Sequence, residues 1–109
     1  MSQGSKTVVL YVTVPNADEA RQIGRALVEA RLAACANIFG AISSIFRWED
    51  RIQEEGEAVL IAKTQEKHVE AATQMITEEH SYTCPCVVAI PIVGGNESFL
   101  QWIAEETGD

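Results

Sequence analysis

Three runs of this sequence are apolar at odd and even positions alike, and that narrows the folds open to it more than any other feature. In the run Thr7–Val14, Val8, Leu10, Val12 and Val14 alternate with Val9 and Tyr11. In residues 58–64, Ala58 and Leu60 alternate with Val59 and Ile61; in residues 86–92, Val87 and Ala89 alternate with Val88 and Ile90. Runs this short and this rich in β-branched side chains fit strands better than buried helices. Side chains along a strand point to opposite faces in turn, so a sheet built from these runs has no polar face to show to water.

Helical spacing fills the intervals. Asn16, after Pro15, caps a helix with Glu19 in capping-box position, and Ala20, Ile23, Gly24, Leu27, Ala30 and Ala34 recur on one face to about Ala34. A second helix is expected over residues 65–79, with Val69, Ala72, Thr73 and Ile76 inward and His80 at its C-terminus. Between them Ile42, Ser44, Phe46 and Trp48 alternate with Ser43, Ile45 and Arg47, which puts both aromatics on one side of another strand. The acidic stretch 49–57 reads as a solvated hairpin connection, offering divalent cations only weak contacts. Gly94-Gly95-Asn96 breaks the chain before a short terminal helix carrying Phe99, Trp102 and Ile103.

Strand, helix, strand, strand, helix, strand is the order of the split βαβ motif. The expected fold class is therefore α+β: a ferredoxin-like βαββαβ sandwich with an added C-terminal helix. Helices cover only one face of such a sheet. The other face is apolar here too, so another chain must bury it and an obligate oligomer is expected. The 109 residues form one domain, residues 1–109, long enough to bury roughly 65% of the extended surface. Residues 1–6 are expected to be disordered and do not read as a signal peptide.

Sixteen acidic residues against eight basic ones leave a net charge of -8, which opposes any surface built to neutralise phosphates. Nucleic acid and anionic membranes are poor partners for such a chain, and no apolar stretch approaches a bilayer-spanning length. Cys84 and Cys86 are too close in sequence for an easy disulfide, and the cysteine count of three is odd. A reduced, cytoplasmic protein is expected. No nucleophile with an adjacent base, phosphate loop or carboxylate pair stands out, so the chain does not read as an enzyme.

Metal-capable side chains concentrate where the second helix gives way to the last strand, in His80-Ser81-Tyr82-Thr83-Cys84-Pro85-Cys86. His80, Cys84 and Cys86 offer a soft metal an imidazole and two thiolates, one ligand short of a structural zinc site; the plainer alternative makes both cysteines small buried apolar groups. A lysine ending an apolar strand and a tyrosine at a helix-to-strand junction can meet in this fold, so Lys63, Tyr82 and Trp48 are candidates for a cleft between chains. The competing account pairs Lys63 with Glu57 or with an acid of a neighbouring chain. Phe46 and Trp48 also read as sheet-packing residues, Cys35 as an inert thiol ending the first helix, and His68 as a solvent-exposed residue.

Several separated motifs carry a resemblance. They are Thr13-Val14-Pro15-Asn16, Leu32-Ala33-Ala34-Cys35-Ala36-Asn37-Ile38, Ser44-Ile45-Phe46-Arg47-Trp48, Lys63-Thr64, His80-Ser81-Tyr82, and Phe99-Leu100-Gln101-Trp102-Ile103 after Gly95. In this order the chain resembles the CutA family of divalent-cation tolerance proteins over about residues 8–103. The resemblance implies a ferredoxin-like fold, a tight homotrimer, a link to tolerance of copper and other divalent ions, and an architecture like that of the trimeric PII signalling proteins. It also implies copper ligands at the positions of Val12, Glu79 and His80, of which only His80 is a ligand type that carries over. This chain departs from the family pattern at Phe46, where tyrosine is common, at Ser81, where proline is, and at Cys86, where glutamate is. Cys84 and Cys86 supply thiols beyond that pattern, and a thiolate pair suits Cu(I), so a relocated copper site of His80, Cys84 and Cys86 is expected. The alternative is a PII-like regulatory or scaffold trimer holding a small molecule or protein partner in inter-subunit clefts near Trp48, Glu57, Lys63 and Tyr82.

Overall fold

The computed structural model describes residues 6–108. Of residues 1–6, expected to be disordered, the first five lie outside the described residues, and the Lys6 carbonyl accepts a hydrogen bond from the Glu66 N–H. The elements are β1 (Thr7–Val14), α1 (Ala17–Glu29), β2 (Cys35–Trp48), β3 (Arg51–Gln65), α2 (Val69–Glu79), β4 (Val87–Pro91) and α3 (Glu97–Glu106). All strand pairs are antiparallel, in the sheet order β2-β3-β1-β4. This is the expected α+β, ferredoxin-like arrangement.

Register sorts the side chains into two layers. Leu10 lies between Ala62 and Ala89, and Val12 between Leu60 and Val87, so these residues share the helix-covered face. There they pack with Ala20, Ile23 and Leu27 of α1 and Ala72 and Ile76 of α2, each large aliphatic contributing about 2 kcal/mol by burial. Gly24 lets α1 press close to the sheet: a Cβ at that position would stand 3.1 Å from Ala36 Cβ and 3.2 Å from Leu60 Cδ1. On the opposite face Val9 and Tyr11 lie beside Ile61, Val88 and Ile90. Val88, Ile90 and Phe39 are 50%, 48% and 52% exposed there, so this apolar face is open within one chain, as the double-sided apolar runs require. At the far end of β3, α3 meets it through Gln65, whose side-chain amide donates to Thr107 Oγ1 (2.9 Å).

Four elements differ from expectation. α1 stops at Glu29, because Arg31 adopts φ 60° and the N–H groups of Leu32 and Ala33 both return to the Leu27 carbonyl. Cys35 therefore opens β2, opposite Lys63, instead of ending the helix, and β2 begins there rather than at Ile42. The acidic stretch is not a loop. It lies almost wholly in β3, and the turn is Glu49 and Asp50 alone, at φ 52° and 64°, the left-handed pair of a two-residue hairpin. α2 starts at Val69 after a 3-10 turn, Glu66–His68, and the His68 ring sits partly buried against the Thr107 carbonyl rather than in solvent.

Neither turn residue is the Asn-Gly pair that tolerates such φ values best. Glu49→Asn combined with Asp50→Gly should raise stability by about 1 kcal/mol, read as a higher guanidinium midpoint. A lowered midpoint would show that Glu49 and Asp50 stabilise the turn by some other contact.

Candidate functional site

β1 pairs with β3 only as far as Val14 opposite Ala58. Beyond that point β2 and β3 continue alone as a two-stranded arm. A bulge between Phe39 and Ile42, with Ala41 at φ 52°, absorbs one residue of β2. As a result Ile42, Ser44, Phe46 and Trp48 stand opposite Glu57, Glu55, Gln53 and Arg51, on the open face of the sheet. The two aromatics are on one side of the strand, as their spacing indicates.

The loop from α2 to β4 docks where β1 has run out. His80 is its anchor: Nε2 lies 2.8 Å from the Thr13 carbonyl oxygen and Nδ1 3.0 Å from the Tyr82 N–H nitrogen. A carbonyl only accepts and an N–H only donates, so Nε2 donates to Thr13 and Nδ1 accepts from Tyr82, which puts both ring nitrogens in use. Glu19 holds the next residue. Its carboxylate accepts from the Ser81 N–H (2.9 Å) and hydroxyl (2.9 Å), and its Oε2 lies 3.4 Å from His80 Nδ1. The capping box is thus half formed: Asn16 accepts from the Glu19 N–H (2.8 Å), but the Glu19 side chain serves the loop. Tyr82 packs on His80 with ring centroids 4.8 Å apart, and its hydroxyl donates to the buried Glu57 carboxylate (2.9 Å). Burial, then the Glu57 hydrogen bond and charge, push the Tyr82 phenol up to about 12, with Glu55 and Glu19 adding to the effect.

Loop and arm enclose a cleft of about 270 Å³ between Phe46, Trp48, Gln53 and Glu55 on one side and Tyr82, Thr83 and Cys84 on the other. A larger groove of about 470 Å³ lies between α1 and the edge strand β2, around Arg21, Arg25, Ala36 and Ile38, and contains none of the sequence candidates. Of those candidates, the structure brings Trp48, Tyr82 and Cys84 to one cleft and joins Glu57 to it through the Tyr82 hydroxyl. Lys63 is elsewhere. Six residues along β3 from Glu57 is roughly 20 Å, and the Lys63 ammonium donates to Asn37 Oδ1. Within one chain neither the Lys63–Glu57 pair nor a shared Lys63–Tyr82 pocket forms.

The three-ligand metal grouping does not form within one chain either. Among the described residues no group of three or more His, Cys, Asp and Glu side chains is placed to hold a metal ion. Cys84 and Cys86 are free, exposed thiols rather than buried apolar groups, while His80 is buried and committed to Thr13 and Tyr82. The ligand positions implied by resemblance fit copper no better: Val12 is fully buried and has no donor, Glu79 is exposed, and His80 has no lone pair to spare. Sequence reasoning missed Thr13, Ser81, Glu55 and the loop-holding role of Glu19. Only the Glu19 and Ser81 side chains could have signalled a contact, since Thr13 acts through its carbonyl.

An antiparallel βαββαβ sheet with a projecting arm and a loop docked at its base defines a ferredoxin-like α+β protein with a cleft at the arm. The chain belongs to the CutA1 divalent ion tolerance protein family, whose pattern it matches over residues 8–106. It superposes on CutA1 from Oryza sativa with a TM-score of 0.94, at 37% identity and 99% coverage of both chains. With the periplasmic divalent cation tolerance protein CutA from Archaeoglobus fulgidus the TM-score is 0.91, at 40% identity, covering 94% of this chain and 99% of that one. The divalent-cation tolerance protein CutA of Thermus thermophilus is 42% identical over 100 residues, 92% of this chain and 97% of that protein. Chloroplastic CutA of Arabidopsis thaliana is 39% identical over 110 residues, and the match takes in 98% of this chain but 60% of that relative. Among the described residues no helix is long and apolar enough to cross a membrane.

The raised phenol of Tyr82 has a signed consequence. The folded chain holds this proton more tightly than the unfolded one, so the stability it contributes is fully present below pH 10.0 and lost as pH rises through about 12. Tyr82→Phe should lower the denaturation midpoint at pH 8, and the gap to wild type should close as pH climbs towards 12. A gap that stays constant with pH would show that the hydroxyl is not the group responsible.

Proposed function

We propose that this chain acts as a homotrimer in tolerance of, or response to, divalent metal cations, and that it does so by binding copper at Cys84 and Cys86. The observation that carries this reading is the pair of free, exposed thiols flanking Pro85 on the docked loop. Two thiolates are soft ligands that suit Cu(I), and each thiol gives up its S–H proton as its Cu–S bond forms, so affinity should rise with pH. His80, the third expected ligand, instead holds the loop that presents the thiols. Carboxylates along the arm add only weak contacts for other divalent cations.

The trimer is supported by the open sheet face, where Phe39, Val88 and Ile90 stand in solvent in a single chain. Exposed unpaired cysteines favour a reducing compartment, which supports the cytoplasmic reading. Family members carry names that point to tolerance rather than catalysis, in keeping with a protein that is not an enzyme. The cleft beside Trp48 and Tyr82 favours a second reading: a PII-like regulatory or scaffold trimer that takes a small molecule there.

Titrating Cu(I) into the reduced protein against a competing chelator should give about one tight site per chain. Changing both Cys84 and Cys86 to serine should abolish it; undiminished affinity in that variant would refute the site. Sedimentation should show three chains per particle at micromolar concentration, and a folded monomer there would refute the assembly.

A further inference from the structure

The wall of the cleft between arm and loop limits what can enter it. Phe46 and Trp48 stand two residues apart on one side of β2, and the loop opposite them contributes Tyr82. Tyr82 is a fixed wall, since its hydroxyl is held by Glu57 and its ring rests on His80. Glu55 lines the same cleft, and among the described residues of one chain neither lysine nor arginine does. Arg51, across from Trp48, is the basic residue on this face of the arm and stands outside the lining; Arg47 is on the other face.

Aromatic faces and a carboxylate, with no base among the lining residues, attract positive charge. An anion would be repelled by Glu55. A hard, strongly hydrated metal ion such as Mg2+ would keep its water shell, which ring faces do not replace. A cation wrapped in methyl or methylene groups satisfies both halves of the wall, because its apolar shell meets the rings while its charge is drawn to their faces and to Glu55. The volume of about 270 Å³ lies at the small end of ligand pockets, too small to enclose a nucleotide.

We infer that this cleft binds a small organic ammonium ion, a quaternary or alkylated amine, against Phe46 and Trp48 with Glu55 as its counter-charge. This rests on the small-molecule reading of the cleft, whose lining includes Cys84, one of the two proposed copper thiols.

The probe is choline, compared with 3,3-dimethylbutan-1-ol, which has the same shape without the charge. In the full chain carrying Trp102→Phe, Trp48 is the remaining indole and reports on the cleft. Choline should change its fluorescence saturably, and the neutral alcohol should bind about tenfold more weakly. Glu55→Gln should weaken choline about fivefold while leaving the alcohol unaffected. Trp48→Leu, with its denaturation midpoint confirming that it folds, should lose choline binding by calorimetry. Equal binding of alcohol and choline, or indifference of choline to Glu55→Gln, would overturn the ammonium inference and leave a small-molecule cleft standing. No saturable binding of either probe would overturn the inference and the small-molecule reading together.

Discussion

The mismatch in strand length at the centre of the sheet governs everything beyond the core. β1 is 8 residues long, while β2 and β3 run for 14 and 15, so two strands must continue after their neighbour has stopped. The Thr13 carbonyl near the end of β1 and the buried Glu57 carboxylate of β3 then need partners from somewhere else. The loop after α2 supplies them, with His80 on the Thr13 carbonyl and Tyr82 on Glu57. The arm, the docked loop and the cleft between them are three results of one short strand.

The same arrangement explains why the polar residues there are structural before they are chemical. A buried carboxylate without a partner costs several times what a hydrogen bond returns, so Glu57 and the Tyr82 hydroxyl hold each other in place. His80 is the clearer case. Its imidazole looks like a ligand in sequence, but a carbonyl on one nitrogen and an N–H on the other use up its coordinating capacity. Ser81 belongs to the same scheme: proline, the common residue of the family at that position, has neither the N–H nor the hydroxyl that Glu19 binds here. The loop of this chain is therefore tied to α1 by bonds that a proline would not make.

Much of the fold was legible because it rests on side-chain periodicity. β1 and β4, the approximate helices, their order and the open apolar face all follow from which residues alternate, and so does the shared side of Phe46 and Trp48. The β3 half of the arm was hidden because the arm pairs only with itself: its strands have no core to fill, so acids at Glu54, Glu55 and Glu57 are tolerated and erase the apolar signal of a strand. The end of α1 was hidden by the alanine-rich run after Glu29, which keeps helical spacing although Arg31 has already turned left-handed. The separation of Lys63 from Glu57 within one chain was hidden for a different reason. Lys63 lies on the same face of β3 as Glu57, and alternation shows the face but not the distance along it.

The bulge at Phe39/Ile42 makes chain length, rather than residue identity, the determinant of what the arm presents. Without it, continuous alternation from Phe39 would bring Ser43, Ile45 and Arg47 to the loop and turn Phe46 and Trp48 away. Because one residue is already looped out, deleting it would leave the aromatics facing as they do now. A one-residue deletion or insertion farther along the strand would invert the arm instead. Evolution can therefore shorten this chain by one residue at the bulge almost silently, whereas the same change a few positions on would replace an aromatic wall with an aliphatic and cationic one.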